Sequence, residues 1–217
     1  MISSPSSDCK LISITPDAEN LIVYCARVSN PSNQSNEETA PKLIKYLIKH
    51  CHWSPFQMAN MVIEINTTRA IAAQILRHRS FSYQEFSQRY ADVAALGSAV
   101  VPQLRRQDLS NRQNSIDDLG PELLGGYYRR ISNLFEDAEH LYREMVSNGV
   151  AKECARNILP LASPTRLYMN GDIRSWIHYL QIRSGVETQL EHRVIALNIL
   201  DIFRDNFPNI YEAAFEA

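Results

Sequence analysis

Residues 121–147 read PELLGGYYRRISNLFEDAEHLYREMVS, and this stretch has the clearest helical pattern in the chain. Apolar side chains recur there at alternating steps of four and three residues, as on one face of an α-helix. The members of this face are Leu124, Tyr128, Ile131, Phe135, Ala138, Tyr142 and Met145. Gly149 follows as a natural C-cap. The pattern predicts one long helix with an apolar stripe broad enough for a helix–helix interface.

The sequence after this helix also has mainly helical spacing. Helices are predicted at residues 151–158, 173–183, 187–206 and 208–216. The helix over 187–206 is apolar around most of its circumference, which predicts burial on more than one side.

The sequence before the long helix mixes strand and helix patterns. Strands are predicted at 10–15 and at 61–66, where Met61, Ile63 and Ile65 share one face. Helices are predicted at residues 19–29, 38–51 and 68–78. The polar residues 105–118 predict a mobile loop, and residues 1–8 are expected to fray at the terminus.

This order, a few strands and then mostly helices, favours an α+β fold over an alternating parallel α/β fold. The chain has 217 residues and shows neither an internal repeat nor a linker, so a single domain over 1–217 is expected.

Composition and charge narrow the class of protein. Apolar residues make up 45% and charged residues 21%, and the net charge is −2 with a pI near 6.3. These values argue against a general binder of nucleic acids or membrane surfaces. No apolar run approaches the ~20 residues of a membrane span, and the first residues lack a signal-peptide pattern. The four cysteines form no CxxC pair, so a soluble cytoplasmic protein with reduced thiols is expected.

Polar side chains capable of chemistry concentrate in residues 74–90, QILRHRSFSYQEFSQRY. On a helix Gln74, Arg77 and His78 would share one face, and on an extended segment Glu85, Ser87 and Arg89 would share another. Guanidinium, amide and hydroxyl groups in this combination suit a phosphate and a sugar. A solvated helix end with a charged turn explains the same spacing equally well.

The chain resembles the flavin-dependent thymidylate synthases. Arg77-His78-Arg79, with Ser87 after seven residues, resembles the R-H-R-x7-S signature of that family. Further similar segments, in order, are residues 26–29, 52–56, 155–156, 159–161 and 174–183. The resemblance therefore covers nearly the whole chain. It implies the fold of the thymidylate synthase-complementing-protein type, with a small mixed or antiparallel sheet and several long helices.

The resemblance also implies an activity. Members of the family are methyltransferases of nucleotide biosynthesis that convert dUMP to dTMP. Methylenetetrahydrofolate donates the carbon, and FAD reduced by NADPH supplies the hydride, so no protein nucleophile is needed. The family forms homotetramers whose active sites are shared between chains.

The same resemblance assigns site residues. Arg183 matches the catalytic arginine placed against the uracil ring, where a fixed cation would favour ionisation at N3. The residues implied to bind dUMP are Gln74, Arg77, Glu85, Ser87, Gln88, Arg89, Arg156 and Arg183, with Arg156 reaching from a neighbouring subunit. The residues implied to bind FAD are Ser54, Arg77, His78, Arg79, Glu85, Asp172, Arg174 and His178.

The sequence gives less support to other chemical roles for His52, the His50–His52 segment and Ser87. His52 could serve folate or flavin, or cap a helix end. His50-Cys51-His52 is poor geometry for a metal, since consecutive residues point apart, so no metal site is expected. Ser87 has no His–acid relay in the sequence and is therefore assigned to substrate contact.

Four residues depart from the family pattern. Gln57 and Met58 replace a common Glu-His pair, Asp172 stands where Asn is common, and Glu187 stands where His is common. These changes predict altered flavin affinity or redox behaviour. They also motivate an alternative function, a flavin-free nucleotide-binding protein. An RNA-binding module is disfavoured by the negative net charge, and a purely structural oligomer leaves the ordered segments unexplained.

Overall fold

The computed structural model describes residues 8–216, and these residues contain six strands and eight α-helices. The strands are β1 (Asp8–Ile14), β2 (Asn60–Thr68), β3 (Ser82–Glu85), β4 (Arg106–Gln107), β5 (Ser115–Ile116) and β6 (Pro164–Asp172). The helices are α1 (Ala18–Ala26), α2 (Ala40–Lys49), α3 (Arg69–Ile75), α4 (Pro121–Ser147), α5 (Lys152–Ala155), α6 (Ile173–Arg183), α7 (Leu190–Asn206) and α8 (Pro208–Phe215). Short 3-10 helices lie at Pro31–Asn33, Ser54–Gln57, Val93–Leu96 and Arg156–Ile158. The predicted α+β class is confirmed.

Four strands form one sheet in the order β1-β2-β6-β3, and β4 pairs with β5 in a separate antiparallel hairpin. Two side-chain hydrogen bonds show how β2 and β6 run. Tyr168 Oη donates to Glu64 Oε2, and Arg166 Nε donates to Asn66 Oδ1, each at 2.8 Å. Residue numbers rise along β2 from one bond to the next, whereas those of their partners fall along β6. The two central strands are therefore antiparallel.

The contacts divide the described residues into two compact units. Unit 1 contains residues 66–75 and 85–167, and unit 2 contains residues 8–65, 76–84 and 168–216. The expectation of a single domain remains a prediction. Of the terminal residues expected to fray, 1–7 lie outside the described part, whereas Asp8 begins β1.

Two strands continue into helices without a loop. β2 ends at Thr68 and α3 begins at Arg69, while β6 ends at Asp172 and α6 begins at Ile173. At the second junction the Asp172 carboxylate caps the helix by accepting from the Ser175 N–H at 2.7 Å. The direction of β6 therefore fixes where α6 starts and which way its side chains point.

The long helix α4 has the predicted bounds and a defined end. Gly149 has φ +86°, and its N–H and that of Val150 donate to the carbonyls of Val146 and Met145. This pair of bonds is a Schellman motif, which ends the helix. The predicted stripe is mostly half-exposed, and Tyr142 is the one fully buried α4 side chain in the described structure.

Several elements differ from their prediction. Helix α7 buries one face (His192, Ile195, Ala196, Ile199 and Phe203), while Val194 and Leu197 are exposed, so the expected burial on several sides is wrong. Helix α5 stops at Ala155 and continues as a 3-10 turn. Strand β6 was not predicted, although its alternate residues are buried. The supposed loop at 105–118 contains the β4–β5 hairpin, and its mobility remains a prediction.

Candidate active site

The Arg77-His78-Arg79 segment lies in a turn of unit 2, not on a helix. Helix α3 ends at Ile75, so the expected helical face shared by Gln74, Arg77 and His78 is wrong. The His78 carbonyl accepts from the Phe81 N–H at 3.3 Å and from Tyr83 Oη at 3.0 Å, which fixes the turn. Arg77 and Arg79 are exposed while His78 is half-buried, so the histidine differs in its surroundings from the two arginines.

A buried aromatic cluster holds this turn against helix α6. The Phe81 ring lies edge-on to Trp176 at 4.8 Å and to Tyr179 at 5.8 Å between centroids. Trp176 Nε1 donates to the Met61 carbonyl at 3.0 Å, which ties α6 to β2 within unit 2. Gly171 makes room for the ring, because a Cβ there would lie 2.4 Å from Phe81 Cδ1.

His78 and Arg183 contact each other directly. Arg183 Nε donates to His78 Nε2 at 2.8 Å. Burial, the Arg183 charge and the nearby His178 together lower the pKa of His78 to about 4, so the imidazole is neutral at pH 7. Arg183 is half-buried and is the last residue of α6. Two members of the predicted site, 105 residues apart in sequence, are therefore one hydrogen-bonded pair.

Behind this pair lies a second one that the sequence did not reveal. Tyr179 Oη and His192 Nε2 are 3.0 Å apart, and both residues are fully buried. Burial lowers the pKa of His192 to about 3, with Arg183 and His78 adding to the effect, and burial raises the pKa of Tyr179. The only signal in the sequence was the position of Tyr179 one helical turn before Arg183.

A cleft of about 570 Å³ in unit 2 collects part of the implied FAD set. Asp172, Arg174 and His178 line it, as do Trp53, Gln57, Ser80, Ser175, Ile177 and Gln181. The side chains of Arg174, His178 and Gln181 lie one turn apart along the exposed face of α6. The Arg174 guanidinium has no hydrogen-bond or ion-pair partner among the described residues.

The cleft suits part of a flavin dinucleotide. It offers a cation for a phosphate, a flat aromatic wall in Trp53, and hydroxyl and amide groups for the polar edges of rings or sugars. Two departing residues, Gln57 and Asp172, line this cleft, whereas Met58 is 51% exposed outside the lining. Asp172 uses one carboxylate oxygen as the cap of α6, which gives this departure a structural role.

Ser54 and His52 are not among the residues that line the cleft. Ser54 is exposed at the start of a 3-10 helix. His52 is exposed, and its ring centroid lies 6.1 Å from that of His50 and 5.9 Å from that of Tyr46. Its choice between folate, flavin and a helix cap stays open. In the described residues no group of three or more His, Cys, Asp or Glu is arranged to hold a metal ion.

The remaining residues implied to bind dUMP lie in unit 1, and Glu85 is the most firmly held. Its Oε1 accepts from Arg69 Nη1 at 2.8 Å and from Thr165 Oγ1 at 2.9 Å. Neither partner was singled out from the sequence, because both are distant along the chain. Oε1 is thus used twice, which leaves Oε2 for a ligand hydroxyl.

The segment after Glu85 is not the extended face that was predicted. Strand β3 ends at Glu85, and Ser87 begins a turn in which its carbonyl accepts from the N–H groups of Tyr90 and Ala91. Arg89 is paired with Glu153 on α5 at 3.1 Å, with both side chains exposed.

The other members of this set are placed as follows. Gln88 is buried, Gln74 is half-buried on α3, and Arg156 is half-buried one turn after Glu153. The Arg89–Glu153 pair therefore joins the 87–91 turn to the segment that carries Arg156. Whether Arg156 serves its own chain or a neighbour remains a prediction.

Comparison with known proteins identifies the family. A family described as "Thymidylate synthase complementing protein" matches residues 10–209. The chain belongs to this family. It is 48% identical over 211 residues to the probable flavin-dependent thymidylate synthase of Paramecium bursaria Chlorella virus 1, covering 94% of this chain and 97% of that protein.

Other relatives agree with this membership. The flavin-dependent thymidylate synthase of Synechocystis sp. is 49% identical over 195 residues, which cover 90% of this chain and 88% of that protein. A UMP/dUMP methylase, PolB from Streptomyces cacaoi, superposes with a TM-score of 0.85 at 24% identity, over 97% of this chain and 96% of that chain. At that identity the match confirms the fold of the thymidylate synthase complementing family. Within residues 8–216 no helix has the length and hydropathy that a membrane crossing requires.

Proposed function

We propose that this protein converts dUMP to dTMP by reductive methylation, using a flavin and no protein nucleophile. The observation that carries the proposal is the similarity, close to half of all residues over nearly the full length, to flavin-dependent thymidylate synthases. The Arg183–His78 pair supports it, because a half-buried arginine held at Nε keeps both terminal nitrogens for a ligand.

Arg183 is proposed to polarise the uracil ring. A fixed guanidinium beside the ring stabilises the negative charge that develops when N3 loses its proton. Glu85 would accept from the sugar through its unused oxygen, while Gln74, Ser87, Gln88, Arg89 and Arg156 complete the proposed dUMP site. For Arg89 this requires exchanging its exposed ion pair with Glu153 for a phosphate, a small loss because exposed pairs contribute ~0–1 kcal/mol.

The flavin is proposed to be FAD, which supplies the hydride when it is bound and reduced. Arg174, His178 and Asp172 in the cleft, with Ser54, Arg77, His78, Arg79 and Glu85, form the proposed FAD set. NADPH as reductant and methylenetetrahydrofolate as carbon donor complete the proposed reaction. A cytoplasmic location is part of the proposal and agrees with four free thiols at positions 9, 25, 51 and 154.

A homotetramer with shared active sites is also proposed. Large apolar side chains along α4 support an assembly, since Leu123, Tyr127, Leu134 and Leu141 are 45–63% exposed. Sharing predicts that an Arg77→Ala chain and an Arg156→Ala chain, each inactive alone, regain part of the activity when co-assembled. Mixed tetramers verified by two affinity tags should be assayed for dTMP formation. Verified mixed tetramers without activity would contradict a shared site.

A flavin-free nucleotide-binding protein is the second candidate function. It is favoured by Gln57, which lines the cleft in place of a family carboxylate, and by Asp172, which adds a negative charge there.

An absorbance spectrum of the purified protein separates the two candidates. We expect a bound-flavin spectrum that bleaches on anaerobic addition of NADPH, followed by dTMP formation when dUMP and methylenetetrahydrofolate are supplied. Protein that retains no flavin after FAD is added and the excess removed would favour the nucleotide-binding alternative.

A further inference from the structure

The contact between Arg183 and His78 decides the protonation pattern of the histidine ring. An arginine Nε–H can only donate, so Nε2 of His78 must accept the 2.8 Å hydrogen bond with its lone pair. A neutral imidazole carries one proton, which must then sit on Nδ1. The lowered pKa of His78 agrees with a neutral ring at pH 7.

The ring has little freedom to turn away from this contact. Its backbone carbonyl is held by the Phe81 N–H and the Tyr83 hydroxyl, as described above. The ring packs nearly perpendicular to the Tyr179 ring, with centroids 4.9 Å apart and planes at 81°. Tyr179 is in turn held by the buried His192. The orientation of His78 is therefore determined from three directions.

The Nδ1–H of His78 is left as an available donor. No hydrogen bond of this atom occurs among the described residues. Nδ1 is not among the buried side-chain atoms without a hydrogen-bond partner in the described residues, so it is reachable from outside.

We infer that Arg183 locks His78 as the neutral Nδ1–H tautomer, making this histidine a hydrogen-bond donor to a ring carbonyl or imine nitrogen of a bound ligand. The same contact makes His78 a positioning residue for Arg183, because the imidazole fixes the guanidinium at Nε. His78 then acts neither as a cation nor as a base through Nε2. Both uracil and flavin carry such acceptors, so the choice of ligand rests on the proposed function. The assignment of the tautomer does not rest on it.

The tautomer can be measured directly on the holoenzyme by ¹⁵N NMR of labelled histidine side chains. Among the six histidines, we expect the signal that vanishes in His78→Gln to show a protonated Nδ1 and an unprotonated Nε2 at pH 7. In Arg183→Met the Nδ1–H form should lose its dominance. The control Arg204→Met removes an exposed arginine paired with Asp201 and should leave the signal unchanged.

An Nε2-protonated or doubly protonated His78, or an unchanged tautomer in Arg183→Met, would overturn the inference. Two additions then identify the acceptor: dUMP is added to protein freed of flavin, and FAD is added to protein without nucleotide. The ligand whose addition shifts the Nδ1 signal is the one that accepts the hydrogen bond. A signal unmoved by both would refute the donor role. These readouts do not depend on turnover, so a protein that forms no dTMP would refute the proposed function and leave the tautomer result standing.

The positioning role is tested by comparing two substitutions of His78. Glutamine retains an acceptor for Arg183 and a donor, whereas leucine of similar size retains neither. With equal FAD content and folding, His78→Leu should lose kcat by roughly tenfold or more, and His78→Gln should recover most of it. An equal loss in both variants would contradict positioning through the hydrogen bond.

Discussion

At the scale of single residues, the site depends on side chains that hold other side chains. Arg69 is the clearest example, because with Thr165 it occupies one oxygen of Glu85. We predict that Arg69→Met raises KM for dUMP roughly threefold to tenfold with a smaller effect on kcat. The partners are 31% and 20% exposed, so solvent reduces the strength of the pair.

Steady-state kinetics with varied dUMP measure this effect. Arg143→Met is the matched control, since it removes an exposed arginine paired with Glu139 on α4 of the same unit. An unchanged KM in Arg69→Met would show that Glu85 holds its position without this partner.

Arg183 should show the opposite kinetic pattern. Because its proposed role is to stabilise charge that develops during the reaction, Arg183→Ala should lower kcat by about 10²–10³. FAD retention, measured from the flavin absorbance per chain, should fall far less. Equal losses of turnover and flavin would assign Arg183 to holding the cofactor instead.

At the scale of elements, the turn that carries His78 depends on a close approach between β6 and Phe81. Gly171→Ala would place a Cβ 2.4–2.5 Å from two atoms of the Phe81 ring, which is already packed against Trp176 and Tyr179. We predict a loss of about 1–3 kcal/mol in the free energy of unfolding, measured with urea.

The matched control for this substitution is Gly126→Ala in α4. Nothing lies within 4 Å of the added methyl group, and alanine favours a helix interior over glycine by ~1 kcal/mol. The control should therefore be neutral or stabilising. If Gly171→Ala were as stable as the control, the ring could move aside and the cluster would not fix the turn.

Elements whose bounds depend on local signals were predicted well. The bounds of α4 and α6 follow from apolar periodicity, a following glycine in one case and an aspartate cap in the other. The end of α3 was missed because no glycine or proline marks it. The chain leaves the helix there so that His78 and Phe81 can pack against α6, and such long-range packing has no local pattern.

The candidate site shows the same difference between what local sequence signals predict and what long-range packing determines. The resemblance predicts the cations of the site, and their roles remain predictions. Tyr179–His192 and Arg69–Glu85–Thr165 join residues from separate elements and became visible only in the structure.

At the scale of the whole molecule, the half-buried His78 and the buried His192, both neutral, should make stability depend on pH. In the unfolded chain each histidine has a pKa near 6.5, but the folded values for His78 and His192 are about 4 and about 3. Between these values the unfolded state binds more protons. The free energy of unfolding is therefore highest above pH 6.5 and falls as pH drops through the folded values near 4 and near 3.

Urea unfolding at a series of pH values from neutral to about 4.5 tests this dependence. His192→Gln should flatten part of the slope, because glutamine cannot take up a proton and can still bond Tyr179. His140→Gln, at an exposed position on α4, serves as the control and should keep the wild-type slope. The same slope in wild type and His192→Gln would contradict the burial of a neutral histidine there.

The absence of a loop between β6 and α6 limits how this chain can change in length during evolution. Each added residue turns a helix by about 100°. One insertion at Asp172–Ile173 would therefore swing Arg174, His178 and Gln181 away from the cleft, and Arg183 away from His78. Insertions and deletions in descendants should accumulate instead in the exposed hairpin at 105–118, where they do not change the directions in which the side chains of α6 point.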